Sequence, residues 1–144
     1  MSERPPRRRL PWLAAAMILT VCLGVPTYLT YSFFADQQTV KELPGPASAY
    51  LDALIAGDRA KGYELLCQRR RERVSFENWR AERGMEPHLV GYRLLQGHVY
   101  RDTENGVGYG IDVELHYSDG HREQITLPMT EEKAGWRICT DHAY

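Results

Sequence analysis

The sequence predicts an α+β fold behind an N-terminal membrane helix, and three observations support this prediction. Residues 10–35 carry no charged side chain, and apolar residues recur at helical spacing between residues 47 and 67. After residue 89, apolar and polar residues alternate instead. A change from a 3.6-residue to a two-residue hydrophobic period separates helices from strands. Helices that precede a run of strands, rather than alternating with them, predict an α+β arrangement with an antiparallel sheet.

The N-terminal 35 residues predict a signal anchor. Arg4 and Arg7–Arg9 precede the uncharged stretch 10–35, which is longer than the roughly 20 apolar residues that cross a bilayer. Basic flanks stay in the cytoplasm, so we expect residues 1–9 to be a cytoplasmic tail and the later residues to be extracytoplasmic. A cleaved signal peptide is the alternative. No convincing cleavage site follows Leu23, which favours an uncleaved single-pass segment in the cell membrane.

Residues 36–46 are polar and contain Pro44 and Pro46, which predicts a short, stiff linker before a domain at residues 47–144. Residues 36–144 hold 14 basic and 18 acidic side chains. This acidic balance argues against nucleic acid as a partner, because duplex binding depends on a basic surface. The arginine run at residues 69–73 falls near a predicted helix end and is interpreted as a solvated face rather than an anion or lipid-headgroup site.

Residues 47–84 predict three short helices in succession. The first ends at Gly57, because glycine readily adopts the left-handed conformation that often follows a helix. Asp58 is the expected N-cap of the second helix, whose inward face ends at Cys67. Ser75 is the expected N-cap of the third helix, which ends at Gly84. The side chains predicted to face the core are Ala47, Tyr50, Leu51, Leu54 and Ile55, then Ala60, Tyr63 and Leu66, and finally Phe76 and Trp79.

Residues 89–140 predict an antiparallel meander of four strands. The strands cover residues 89–102, 107–117, 121–129 and 135–140, and the first two turns contain Asn105-Gly106 and Ser118-Asp119-Gly120. In the second strand the apolar residues alternate with Asp112, Glu114 and His116, so this polar set is expected to point to water. Glycines inside the first two strands predict a strongly curved sheet.

Cys67 and Cys139 are expected to form a disulfide. With Cys22 in the membrane segment, they are the only cysteines of the exported domain, where the environment is oxidising. The bond would close a loop of 71 residues. A redox or metal pair is the alternative, but the two cysteines lack the C-x-x-C spacing or nearby ligands that such sites require.

Two segments resemble small exported NTF2-like domains of the DUF4878 type, which are common in actinobacteria. The first is Pro46-Ala47-Ser48-Ala49-Tyr50-Leu51-Asp52-Ala53-Leu54-Ile55-Ala56-Gly57-Asp58, with Tyr63-Glu64-Leu65-Leu66-Cys67 after it; the second is Gly135-Trp136-Arg137-Ile138-Cys139. The resemblance implies a cone in which about three helices pack on a curved four-stranded antiparallel sheet around a central pocket. It also implies that a cysteine of the last strand bridges back to the second helix. Members of the wider superfamily include isomerase-like and dehydratase enzymes, subunits of secretion machines and domains without known activity.

Candidate site residues are present, but no catalytic motif is. Simple alternation places His98 and Tyr100 on the strand face of Tyr92, so the candidate pocket residues are Tyr50, Trp79, Tyr92, His98 and Tyr100. A lone histidine on such a face is more often a hydrogen-bonded core or rim residue than a catalyst. The five histidines lack paired zinc spacing, and no glycine-rich phosphate loop precedes a helix, so we expect neither a metal nor a cofactor.

Three functional hypotheses follow from the sequence. We favour a non-enzymatic, membrane-anchored domain that binds a protein partner of the cell envelope or a small apolar ligand. The second hypothesis is a pocket enzyme of the isomerase or dehydratase type, with His98 or Asp112 as its base. The third is a subunit of a secretion or conjugation complex. In each case the NTF2-like resemblance also implies a homodimer.

Overall fold

The computed structural model describes residues 10–82, 87–102 and 106–141. It divides into two compact units, residues 1–38 and residues 39–144, which are considered separately. The second unit is an α+β domain with several helices and one four-stranded antiparallel sheet, so the α+β class and the four-stranded sheet are confirmed. The predicted tail 1–9, the helix end at Gly84 and Asn105 of the first turn lie outside the described residues.

The first helix, α1, spans Leu10–Glu42 and contains Pro26. Several of its large apolar side chains are exposed, among them Tyr28, Tyr31 and Phe34 at 67–75%. Among the helices that the structure describes, none is both long enough and apolar enough to cross a membrane.

Helices cover most of residues 36–46, the predicted linker. Helix α1 continues to Glu42, and helix α2, Pro44–Ile55, begins only two residues later. Leu43 between them keeps helical dihedral angles and is fully buried. Pro44 occupies the first turn of α2, where a missing N–H costs no hydrogen bond, so the proline starts a helix instead of stiffening a linker.

Three further helices follow, namely α3, Arg59–Glu64, α4, Gln68–Arg73, and α5, Phe76–Glu82. The predicted local signals are confirmed: Gly57 has a φ of 72°, and the Asp58 side chain accepts the N–H of Lys61 at 3.1 Å. The N–H of Asn78 donates to Ser75 Oγ at 3.4 Å, as expected of an N-cap. The second predicted helix is split at Leu65–Cys67, because Leu66 forms a parallel bridge with Ile138.

The sheet has the order β1-β2-β3-β4, with strands at Leu89–Asp102, Gly106–Tyr117, Arg122–Glu132 and Gly135–Ile138. All neighbouring pairs are antiparallel. Gly120 has a φ of 85° in the turn between β2 and β3, as glycine at such a turn permits. The meander predicted from alternation is therefore confirmed for the described residues.

The core lies between one face of the sheet and helices α2, α3 and α5. Helix α2 contributes Tyr50 and Leu51, both fully buried, and α5 contributes Trp79. Strand β2 contributes its odd-numbered apolar set, which is buried as predicted: Ile111, Val113, Leu115 and Tyr117. The even-numbered residues of β2 lie on the opposite face of the sheet, which we call the outer face.

The arginine run does not form a uniformly solvated face, contrary to the sequence-based interpretation. The Arg70 side chain is only 11% exposed, and its guanidinium lies 3.5 Å from Glu82 and 3.4 Å from Asp141. These contacts join α4, α5 and the segment after β4. Arg69 and Arg73 are exposed.

Candidate functional site

One concavity of the domain lies beside the disulfide, and we call it the disulfide cavity. It has a volume of about 510 Å³ and is partly open to solvent. Strands β1 to β4 contribute most of its lining, and Cys67, Arg69 and Cys139 contribute the rest. Its apolar and aromatic wall consists of Tyr100, Val107, Tyr109, Met129 and Trp136.

The predicted disulfide between Cys67 and Cys139 is present, and both cysteines line this cavity. Two backbone hydrogen bonds hold the same junction, from Cys67 N–H to the Ile138 carbonyl and from Ile138 N–H to the Leu65 carbonyl, at 2.8 and 3.0 Å. The segment before α4 is therefore attached to the edge strand β4 both covalently and by hydrogen bonds.

Aromatic packing shapes the cavity wall. The rings of Tyr109 and Trp136 lie edge to face, with their centroids 5.2 Å apart. The Trp136 indole N–H donates to a carboxylate oxygen of Glu42 at 3.4 Å. Tyr100 lies against Gly108, where an added Cβ would come within 2.5 Å of the Tyr100 ring. Glycine at this position gives the tyrosine ring room to lie against β2.

The five predicted pocket residues divide between the core side and the outer face of the sheet. Tyr50 and Trp79 are fully buried in the core, and Tyr92 is half-buried at its edge. Of the five, only Tyr100 lines the disulfide cavity.

The prediction that His98 and Tyr100 share a face with Tyr92 is wrong. Tyr92 pairs with Leu115 on the core face, whereas His98 pairs with Gly110 and Tyr100 with Gly108 on the outer face. A register shift between Leu94 and Gly97 separates the two parts of β1. A β-bulge reverses the side-chain alternation that follows it, which is why simple periodicity placed these residues on the wrong face.

Asp112, Glu114 and His116 lie on the outer face, as predicted. His116 Nε2 is 2.8 Å from Glu114 Oε1, and Arg93 donates to Glu114 Oε2 at 3.1 Å. The hydrogen bond with His116 is the largest influence on Glu114 and, with the Arg93 guanidinium, it holds the pKa of this carboxyl below its ordinary value.

The Asp112 carboxylate has two neighbours on the outer face. Thr126 donates to its Oδ1 at 2.6 Å, and His98 Nδ1 lies 3.6 Å from its Oδ2. Neither His98 nor Asp112 is among the residues that line the disulfide cavity. The two bases considered for an enzyme thus lie together, but on the solvent side of the sheet.

Tyr92 connects β1 to α2. Its hydroxyl donates to Asp52 Oδ1 at 2.9 Å. Burial is the largest influence on this side chain and, together with the Asp52 carboxylate, raises the pKa of the Tyr92 phenol above its ordinary value. This contact joins α2 to the sheet, and Tyr92 is not among the residues that line the disulfide cavity.

Sequence reasoning missed Val107 and Met129 of the cavity wall. These residues come from two different strands, and only the tertiary structure brings them beside Cys67 and Cys139. The disulfide prediction and the candidate pocket residue Tyr100 were sequence signals that pointed to this region. In the described part of the chain, no group of three or more His, Cys, Asp or Glu side chains could hold a metal ion.

No protein-family model, curated protein or solved structure matches this chain. The resemblance to exported NTF2-like domains therefore stays a prediction.

Proposed function

We propose that this chain is a membrane-anchored, extracytoplasmic binding domain, not an enzyme, that takes a small ligand with an apolar body in the disulfide cavity. The observation that carries the proposal is the cavity itself. Its volume of about 510 Å³ lies within the roughly 300–1,000 Å³ usual for small-molecule sites. Three aromatic residues, a methionine and a valine supply the apolar part of its lining, as in such sites, beside one arginine and two glutamates.

The arrangement of titratable groups supports binding over catalysis. A catalytic base is expected in a cavity, beside the reacting atom of the substrate. Neither His98 nor Asp112 is among the residues that line the disulfide cavity, and Thr126 already donates to the aspartate. A protein partner remains the second type of ligand for this domain.

The extracytoplasmic location is supported by the sequence of residues 1–35 and by the disulfide. An arginine cluster before an uncharged stretch favours a cytoplasmic N-terminus. Disulfides such as Cys67–Cys139 persist mainly in oxidising compartments. The order of helices followed by a four-stranded meander supports the NTF2-like resemblance, but the binding proposal does not depend on it.

A topology assay tests the location. Alkaline phosphatase fused to the C-terminus is expected to be active, because this enzyme matures only outside the cytoplasm, and a green fluorescent protein fused there is expected to be dark. The matched control lacks residues 10–35 and should reverse both results. A fluorescent fusion of the full chain would contradict the proposed orientation.

Ligand binding is tested by NMR on the full, oxidised chain with ¹⁵N-labelled tryptophan, reconstituted in lipid nanodiscs. Benzyl alcohol serves as a small probe with an aromatic ring and no charge. We expect the indole N–H signal of Trp136, which lines the cavity, to shift on titration. The signal of Trp79, which is fully buried in the core, should hardly move.

A matched pair of variants makes this test specific. Val107 and Val90 are both 55% exposed on strands, but only Val107 lines the disulfide cavity. Val107→Glu should weaken benzyl alcohol binding at least about fivefold, because a charge beside the apolar wall is costly to desolvate. Val90→Glu should leave binding unchanged. Equal effects of the two variants, or no shift of Trp136, would contradict the proposal.

A further inference from the structure

Three charged side chains line the disulfide cavity, namely Arg69, Glu131 and Glu132. Glu132 already has a partner, because its Oε1 accepts the backbone N–H of Gln68 at 2.7 Å. Within the described ranges, the side chains of Arg69 and Glu131, both exposed, form no ion pair or hydrogen bond with a protein group. One positive and one negative group therefore face the same cavity without internal partners.

The apolar wall lies close to the negative group. Glu131 is directly opposite Trp136 in the pairing of β3 with β4, and Trp136 packs against Tyr109. Arg69 follows the disulfide cysteine Cys67 by two positions and also lines the cavity. The cavity thus combines a cation, an anion and an aromatic surface.

We infer that the ligand is a zwitterion with an apolar body, such as an α-amino acid with an aromatic or aliphatic side chain. This inference rests on the proposed function and names the ligand class of the same cavity. The carboxylate of the ligand pairs with the Arg69 guanidinium, whose planar array of N–H donors matches two carboxylate oxygens. The ammonium pairs with Glu131, and the side chain packs against Tyr109 and Trp136.

Charge complementarity favours a zwitterion over a ligand with a single charge. A purely anionic ligand would pair with Arg69 but would bring a like charge towards Glu131, and a purely cationic ligand would do the reverse. Only a ligand with both charges satisfies both groups at once. Each charge-assisted hydrogen bond to such a group is stronger than one between neutral partners.

The test compares three probes that share a phenyl ring: L-phenylalanine, phenethylamine, which lacks the carboxylate, and 3-phenylpropionate, which lacks the ammonium. Calorimetric titration uses the full, oxidised chain in phosphatidylglycerol nanodiscs, because this lipid has no ammonium group and cannot itself act as the zwitterion. We expect phenylalanine to bind at least about tenfold more tightly than either analogue, a difference of about 1.4 kcal/mol.

Variants of the two charged residues should separate their roles. Arg69→Gln should weaken the binding of phenylalanine and phenylpropionate about tenfold and leave the affinity for phenethylamine unchanged. Glu131→Gln should weaken the binding of phenylalanine and phenethylamine only. Arg73→Gln is the matched control, because Arg73 is an exposed arginine of the same helix that does not line the cavity. It should leave all three affinities unchanged.

The outcomes distinguish this inference from the proposed function. If benzyl alcohol binds but the three phenyl probes have equal affinities, or if Arg69→Gln behaves like Arg73→Gln, the zwitterion assignment is wrong and the cavity binds apolar ligands of another class. Tighter binding of phenethylamine than of phenylalanine would also overturn the zwitterion assignment. If neither benzyl alcohol nor any phenyl probe binds, both the inference and the proposed function fail.

Discussion

Replacement of both Cys67 and Cys139 by serine is expected to lower the free energy of unfolding by about 4 kcal/mol. The bond joins residues 72 positions apart, and a cross-link of this span removes much of the conformational freedom of the unfolded chain. A domain of this size has only about 5–15 kcal/mol of stability, so the loss is a large fraction of the total. The melting temperature should fall by roughly 20 °C.

Urea unfolding followed by circular dichroism measures this effect. Cys22→Ser is the control, because it also removes a thiol but leaves the Cys67–Cys139 bond in place. The two backbone hydrogen bonds between the segment 65–67 and Ile138 remain in the double variant, so we expect a folded but weakened domain. An unchanged urea midpoint in the double variant would show that the bond does not stabilise the fold.

Trp79→Ala is the second change with a large expected effect, a loss of about 3–5 kcal/mol. Trp79 is fully buried, and its ring centroid lies 5.7 Å from that of Tyr63. Gly62 allows this close packing, since an added Cβ there would lie 2.9 Å from the Trp79 ring. Removal of the indole leaves a cavity that the surrounding helices and sheet cannot fill completely.

The matched control for this prediction is Phe76→Ala on the same helix. Phe76 is only half-buried and contacts Tyr63 with its ring centroid 5.4 Å away. Its replacement should cost about 1–2 kcal/mol. Both variants are measured with the disulfide intact, by urea unfolding followed in the far ultraviolet. Equal losses for the two variants would mean that Trp79 is not a central residue of the core.

Features that depend on neighbouring residues could be predicted from the sequence. The left-handed Gly57, the Asp58 cap and the burial of alternate residues along β2 each follow from a few adjacent side chains, and the structure has all three. The Cys67–Cys139 pair could be predicted for another reason, since no other pair of exported cysteines was available. The helix that replaces the expected linker shows the limit of such signals, because prolines both start helices and stiffen linkers.

By itself, the sequence determined the α+β class, the order of helices and strands, the core face of β2 and the disulfide. Hydrophobic period and turn chemistry are local properties, so they can be read along the chain. Only the tertiary structure decided that the bulge after Leu94 turns His98 and Tyr100 to the outer face, that Arg70 is buried between two acids, and that a cavity lies beside the disulfide. These features depend on strand register and on contacts between residues distant in sequence, which no local pattern specifies.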